Sequence, residues 1–236
     1  MAETSEPRLR GALIADPAET GFDSTTVARV PELVDPMSFR FLKRTADVLI
    51  ASVALVVLFP FILLIACVIK LEDGGPVLYR HKRVGLGGRL FDFYKFRSMR
   101  VDADSKRVEL LHLSDAEGAA FKMRDDPRRT RCGTILRKYS VDEIPQFISV
   151  LLGHMSVVGP RPHLPSEVAT YDEFQKARLS VKPGLVCLRE IAGRSHLSFE
   201  EWVRLDLEYV RNRSLSADLR VFLRAIPAVL SGEGAY

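Results

Sequence analysis

Residues 47–70 read DVLIASVALVVLFPFILLIACVIK, with Lys43 and Arg44 just before the run and Lys70 closing it. Residues 48–69 carry no charge, and at ~1.5 Å per residue a straight helix of that length reaches ~33 Å, enough to cross a bilayer. Pro60 complicates this. Inside a helix it removes one backbone hydrogen bond and crowds the preceding turn, which predicts a kink at Phe59-Pro60 and two short arms. The flanks carry a second constraint. Lys43 and Arg44 lie on one side, Lys70, Arg80, Lys82 and Arg83 on the other, and the positive-inside rule assigns both ends to the cytoplasm. One crossing cannot satisfy both ends; a re-entrant helix, bent and buried in a single leaflet, does, provided the kink finds partners for its freed carbonyls. Spanning and re-entrant helices both stand on these residues, with a buried core helix as the third alternative.

Outward from that segment, 236 residues supply one ordinary domain with appendages, and the 47% hydrophobic content is inflated by the apolar run. The net charge of +4 is unevenly spread: residues 80–100 hold seven Lys or Arg against one Asp, whereas residues 1–35 are acidic. Residues 1–36 are rich in Pro, Ser, Thr and acidic side chains without a sustained period, predicting a disordered acidic arm. The apolar run starts too late for a signal peptide, so it is expected to stay in the mature chain. Cys67, Cys132 and Cys187 are scattered, with no C-x-x-C pair, which argues against a zinc site or a disulfide framework and fits a reducing compartment. No nucleic-acid motif, internal repeat or coiled-coil heptad is present.

After LEDGGP, the stretches VLYRHKRV (77–84) and LFDFYKFR (90–97) flank GLGGR and predict a short β-hairpin. Gly85, Gly87 and Gly88 fit a turn better than a phosphate loop, since neither G-x-G-x-x-G nor G-K-[ST] is present. Lys95 and Arg97 alternate with Phe96 and reach either toward anionic oxygens or toward lipid headgroups. Residues 103–123 read as helical, broken near Gly118. In YSVDEIPQFISVLLG, Ser140-x-x-Glu143 has the form of a capping box and Pro145 suits a helix start. Asp142 and Glu143 then sit at a helix N-terminus, whose dipole favours an ionised Asp by ~0.3–1 kcal/mol. An ionised carboxylate attacks phosphorus without a general base and also ligates Mg²⁺. Between Pro160 and Pro162, Arg161 has a stiff backbone suited to bidentate phosphate binding, or to a structural Arg–carboxylate pair. Arg194 follows in a second loop. Ser198-x-x-Glu201 opens another capped helix with Trp202, Leu205 and Tyr209 along one face, and DLRVFLRAIPAVL predicts a last helix suited to a membrane interface or to the core.

Taken in order, LKRTADVLIASVALVVLFPFILLIACVIKLEDGGPVLYRHKRVG, FDFYKFRSM, DDPRRTRCGTILRKYSVDEIPQ, MSVVGPRP, VKPGL and AGR closely resemble the bacterial sugar transferases known as monotopic phosphoglycosyl transferases, most of all the exopolysaccharide priming type. The resemblance runs from about residue 42 to 236. It implies a mostly helical α+β fold: a disordered arm over 1–36, a re-entrant membrane helix over 37–72 broken at Phe59-Pro60, and a cytoplasmic catalytic domain over 73–236 with a short β-hairpin and interfacial amphipathic helices. It also implies location at the inner membrane and transfer of a sugar 1-phosphate from a UDP-sugar to undecaprenyl phosphate or another polyprenol phosphate. Asp142 would be the nucleophile, forming a phosphosugar-aspartyl intermediate and expelling UMP, with Glu143 its acidic partner and Mg²⁺ held by the pair. Arg161 would hold phosphate oxygens, with Lys95, Arg97, Arg137 and Arg194 as further candidates. Membrane lipids, downstream glycosyltransferases and a second copy of the chain are the partners such a protein would have.

The chain departs from that pattern at Ser149 and His154, and most in VCLREIAGR, where Val186, Cys187, Arg189 and Glu190 replace Thr, Gly, Trp and Gln. These changes leave open which sugar is used. They also leave two alternatives: a catalytically inactive family member, or a membrane-anchored scaffold that binds anionic lipids.

Overall fold

A computed structural model describes residues 32–103, 105–106, 123, 126–193 and 197–232. Most of the helix expected over 103–123, the arm up to residue 31, and Arg194 lie outside the described residues. The fold is mostly helical, with one long apolar helix and two small two-stranded sheets.

Helix α1 runs from Met37 to Asp73. Pro60 lies inside it, with helical structure on both sides, and the carbonyl four residues before the proline loses its amide partner. Gly74 ends the helix in the left-handed conformation, its N–H bonded to the Lys70 carbonyl. Among the described residues, α1 is the one helix long and apolar enough to cross a membrane. Its burial falls into two patches. Asp47 and Ala51 are buried at one end, Ile65 and Ile69 at the other, while Val53, Val56, Val57, Phe59, Phe61, Leu63 and Leu64 between them are exposed.

The first patch docks by polar contacts. Asp47 Oδ1 accepts from Ser156 Oγ (3.0 Å) and Val157 N (2.9 Å), and the Arg44 guanidinium donates to the carbonyls of Val150 and Leu151 at 2.6 and 2.7 Å. Lys43 pairs with Asp218 at 2.5 Å. The second patch docks by packing: Ile65 and Ile69 join Phe96 and Leu136 in one apolar cluster. Both ends of the uncharged run therefore rest on the same folded body.

That body begins with the antiparallel hairpin β1 (Leu78–Val84) and β2 (Leu90–Phe96), paired from Leu78 opposite Phe96 to Val84 opposite Leu90. Gly87 and Gly88, both at positive φ, close it through a single 3₁₀ turn. Helix α2 (Arg131–Lys138) is capped by Thr130 and, after a 3₁₀ turn over Val141–Glu143, leads to α3 (Gln146–Leu151). Strand β3 (Ser156–Val158) pairs in parallel with β4 (Gly184–Val186), and the short helices α4 (Pro165–Val168) and α5 (Glu173–Lys176) lie in the connection between them. Helix α6 (Leu188–Ala192) leads to α7 (Phe199–Asn212), which opens with the expected Ser198–Glu201 capping box, and α8 (Leu215–Ser231) follows. Phe91, Phe93, Val150, Met155, Val157, Val158, Tyr209 and Val221 form the main core with Ala51 of α1.

The buried residues of α7 are Val203, Asp206, Leu207, Tyr209 and Val210: of the face expected from Trp202, Leu205 and Tyr209, Tyr209 is buried and the other two are half-buried, and the buried face includes a charged residue, Asp206. Helix α8 buries Val221 and Ala225 and exposes Leu219, Leu223, Ile226 and Leu230 at helical spacing, a continuous apolar stripe facing out. At the end of the arm, residues 32–36 lie on the body: Leu33 N donates to the Ser180 carbonyl and Asp35 pairs with Arg213 at 2.5 Å.

Candidate active site

The site forms where α2 hands over to α3. Ser140 takes φ 53° and ψ 21°, the sole positive φ outside glycine among the described residues, and its side chain caps nothing. The capping box expected from Ser140-x-x-Glu143 is not made. Instead the left-handed residue reverses the chain, the Ser140 carbonyl accepts from Glu143 N at 3.1 Å, and α3 begins only after Pro145. A non-glycine residue in that region costs ~1–2 kcal/mol, strain that is stored where it positions function. Here it turns Asp142 inward, leaving it 5% exposed, with Glu143 beside it.

Two cations from elsewhere in the chain meet this pair. Lys95 projects from β2 and donates to Glu143 Oε1 at 2.6 Å, with Asp142 Oδ2 at 3.4 Å. Arg161 comes from the loop after β3 and clasps Glu143 with both prongs, Nη2 to Oε1 at 2.5 Å and Nη1 to Oε2 at 3.2 Å. The loop carrying Arg161 is fixed by close backbone approach. Gly159 N donates to the Val186 carbonyl and Gly184 N to the Pro160 carbonyl, and a Cβ on Gly184 would lie 2.0 Å from Gly159 N. Behind the loop, Arg178 is buried against Asp206, bonds the Tyr171 hydroxyl at 3.0 Å, and donates to the Arg161 carbonyl at 3.4 Å.

The two carboxyls experience opposite fields. Burial pushes Asp142 up and the adjacent Glu143 adds to the effect; Lys95 and Arg137 pull it down without cancelling the rise. Burial also acts on Glu143, but Arg161 and Lys95 outweigh it and hold that group well below the usual carboxylate range. A helix N-terminus was expected to favour an ionised Asp142. Desolvation dominates instead, because the preceding turn drives the side chain into the body and α3 is only six residues long.

The sequence candidates thus divide. Asp142, Glu143, Lys95 and Arg161 converge. Arg137, on α2, lies within electrostatic reach of Asp142 and has no ion pair among the described residues. Arg97 is engaged elsewhere: it pairs with Asp73 through two guanidinium nitrogens and donates to the Pro76 carbonyl at 2.6 Å, clamping the turn after α1. Phe59 and Pro60 sit in the exposed middle of α1.

Three further residues border the site. His81 and Arg83 share the Lys95 face of the hairpin, a placement the strand alternation could have revealed. Arg83 Nε donates to His81 Nε2 at 2.7 Å, and burial among Arg83, Lys95 and Arg161 drops the imidazole to about 2, so it is neutral. Glu190 on α6 lies 3.7 Å from Arg161, a meeting of distant loops that no local signal announces. As a whole, the site offers one buried carboxylate able to attack, a second locked as an anion, and two fixed cations able to neutralise a phosphate.

Comparison with known proteins follows the same lines. Residues 38–232 match the family model described as bacterial sugar transferase. The chain is 42% identical over 198 residues to the exopolysaccharide production protein ExoY of Rhizobium meliloti, covering 82% of this chain and 88% of that protein. It is 47% identical over 165 residues to the galactosyl transferase CpsE of Streptococcus agalactiae, covering 70% of this chain but only 37% of that longer protein. A Caulobacter vibrioides protein named UDP-glucose:undecaprenyl-phosphate glucose-1-phosphate transferase is 37% identical over 206 residues, 82% of this chain and 72% of that one.

Proposed function

The chain belongs to the bacterial sugar transferase family, and from that membership we propose that it moves a sugar 1-phosphate from a UDP-sugar to undecaprenyl phosphate, opening exopolysaccharide synthesis. The observation that carries this reading is the buried Asp142 beside Lys95, with Arg161 forked on the neighbouring Glu143. An Asp142 oxygen attacks the phosphorus that bears the sugar, and a P–O bond forms as the P–O bond to UMP breaks, its electron pair leaving with UMP. The phosphate oxygen of the lipid then attacks the same phosphorus and the Asp142 carboxylate leaves, restoring the enzyme. Lys95 favours the ionised form of Asp142, and Arg161, released in part from Glu143, neutralises the transferring phosphoryl group. Glu143 stays anionic and keeps both cations in place.

Magnesium fits this donor set. Mg²⁺ is held by one or two carboxylates together with substrate phosphates rather than by an all-protein cage, and Asp142 Oδ1 carries no hydrogen bond among the described residues. When bound, the ion supplies positive charge for the diphosphate.

Membrane attachment through α1 is part of the same proposal, supported by its apolar exposed middle and by the docking of both its ends on one body, which cannot lie on both faces of a bilayer; a helix that enters and returns on the cytoplasmic side meets both conditions, and the outward apolar stripe of α8 would meet the same interface. Labels placed before Lys43 and after Lys70 are expected on the same face, and opposite faces would sink this topology. The chemical test is UMP release from a UDP-sugar panel with undecaprenyl phosphate and Mg²⁺. Wild type is expected to release UMP and Asp142→Asn to lose ~10³-fold or more; release by the variant at the wild-type rate would remove Asp142 as nucleophile.

A further inference from the structure

Glu190 is a carboxylate in the site with no part in the transfer as derived. Its Oε1 lies 3.7 Å from Arg161 Nη1, the nitrogen that already donates to Glu143 Oε2 at 3.2 Å, while Nη2 is taken by Glu143 Oε1. Glu143 takes both prongs of the Arg161 fork, and Glu190 lies at the flank of the same guanidinium. The short helix that carries it is held from behind: Arg189 stacks on the Trp202 ring at 4.3 Å, and Cys187, the residue before α6, places its Sγ 3.9 Å from Glu190 Oε1. The Glu190 side chain keeps 16% of its surface accessible, close to the 14% of Glu143 and the 21% of Arg161, so a ligand that reaches those groups reaches it too.

A carboxylate accepts hydrogen bonds and donates none, which suits it poorly to phosphate oxygens and well to hydroxyls. Beside a diphosphate it would only repel. A sugar nucleotide carries hydroxyl donors on its ribose and on its donor sugar, and of the two it is the donor sugar that is bonded to the phosphate transferred by Asp142, the one Arg161 would hold. We propose that Glu190 is the residue that reads the donor sugar, accepting hydrogen bonds from its ring hydroxyls and thereby deciding which UDP-hexose is used. This rests on the phosphoglycosyl transfer derived above. Because a site that hydrogen-bonds a substrate hydroxyl discriminates strongly against analogues that misplace it, loss of the carboxylate changes selectivity more than overall rate.

The test compares wild type, Glu190→Gln and Glu190→Asp with UDP-glucose, UDP-galactose and their N-acetylated counterparts, following UMP release, and measures UMP binding by calorimetry. Both variants are expected to change the ratio of kcat/KM between the preferred donor and its 4-epimer by ~10-fold or more, with UMP affinity unchanged. An equal loss for every donor, or unaltered ratios, would mean that Glu190 only steadies Arg161, and would overturn this inference while leaving the transferase reading intact. Failure of wild type to release UMP from any donor would instead overturn the transferase reading, and this inference with it.

Discussion

Asp47 ties the long apolar helix α1 to the strand that feeds the candidate active site, and removing its side chain should loosen both. It is buried, and its Oδ1 accepts two hydrogen bonds, from Ser156 Oγ and Val157 N at the start of β3. In Asp47→Ala both donors stay buried without an acceptor, at ~1–3 kcal/mol each, so the expected loss is ~2–6 kcal/mol. For a domain of this size, ~2–4 °C is lost per kcal/mol, which puts the fall in Tm at roughly 4–24 °C. Asp47→Asn keeps the same Oδ1, retains both bonds, and should cost only ~1 kcal/mol. Three residues beyond β3 stands Arg161, so Asp47→Ala should also lower kcat/KM for UMP release while Asp47→Asn stays near wild type. Thermal unfolding in detergent, with a double-mutant cycle against Ser156→Ala, measures the coupling, expected at ~0.5–3 kcal/mol. If Asp47→Ala melts with wild type, or Asp47→Asn falls as far as Asp47→Ala, the two bonds do not hold α1 to β3.

Three other expectations follow from the site and its supports. Lys95→Met removes the nearest charge that favours ionised Asp142, so the acid limb of the kcat/KM–pH profile should move to higher pH; activity needs the carboxylate and disappears as pH falls through a value raised further still, and an unmoved limb would exclude this coupling. Gly184→Ala would place a methyl 2.0 Å from Gly159 N, so the β3–β4 pairing must open; a loss of ~3 kcal/mol or more in stability, with activity falling alongside, is expected in unfolding and UMP-release assays. Arg97→Met removes the buried partner of the exposed Asp73 and the donor to the Pro76 carbonyl and should destabilise by ~1–2 kcal/mol, yet leave the KM for the sugar nucleotide unchanged in the folded fraction. A raised KM without destabilisation would return Arg97 to phosphate binding.

The split between Lys95 and Arg97 shows how far the sequence could be read. Strand alternation put both on one face, but β2 ends at Phe96, and one residue later the chain has turned Arg97 toward Asp73. Where signals are local, they held: the alternating runs and their glycines made the hairpin, Pro145 marked the start of α3, and Ser198 capped α7. Ser140 misled, because its three-residue spacing to Glu143 also fits a left-handed residue opening a 3₁₀ turn. The ionisation of Asp142 misled for a deeper reason, since a helix dipole is a property of neighbours in sequence while desolvation depends on everything packed around the side chain.

By itself the sequence determined the apolar helix, the family motifs and the four groups that meet at the site, because composition and periodicity are written residue by residue. Tertiary structure alone decided that both ends of α1 rest on one body, that Arg161 is shared between Glu143 and Glu190, and that Asp142 is desolvated while Glu143 is held charged. Those are contacts between segments tens of residues apart, and burial and Coulomb interactions depend on distance in space, which one-dimensional spacing does not encode.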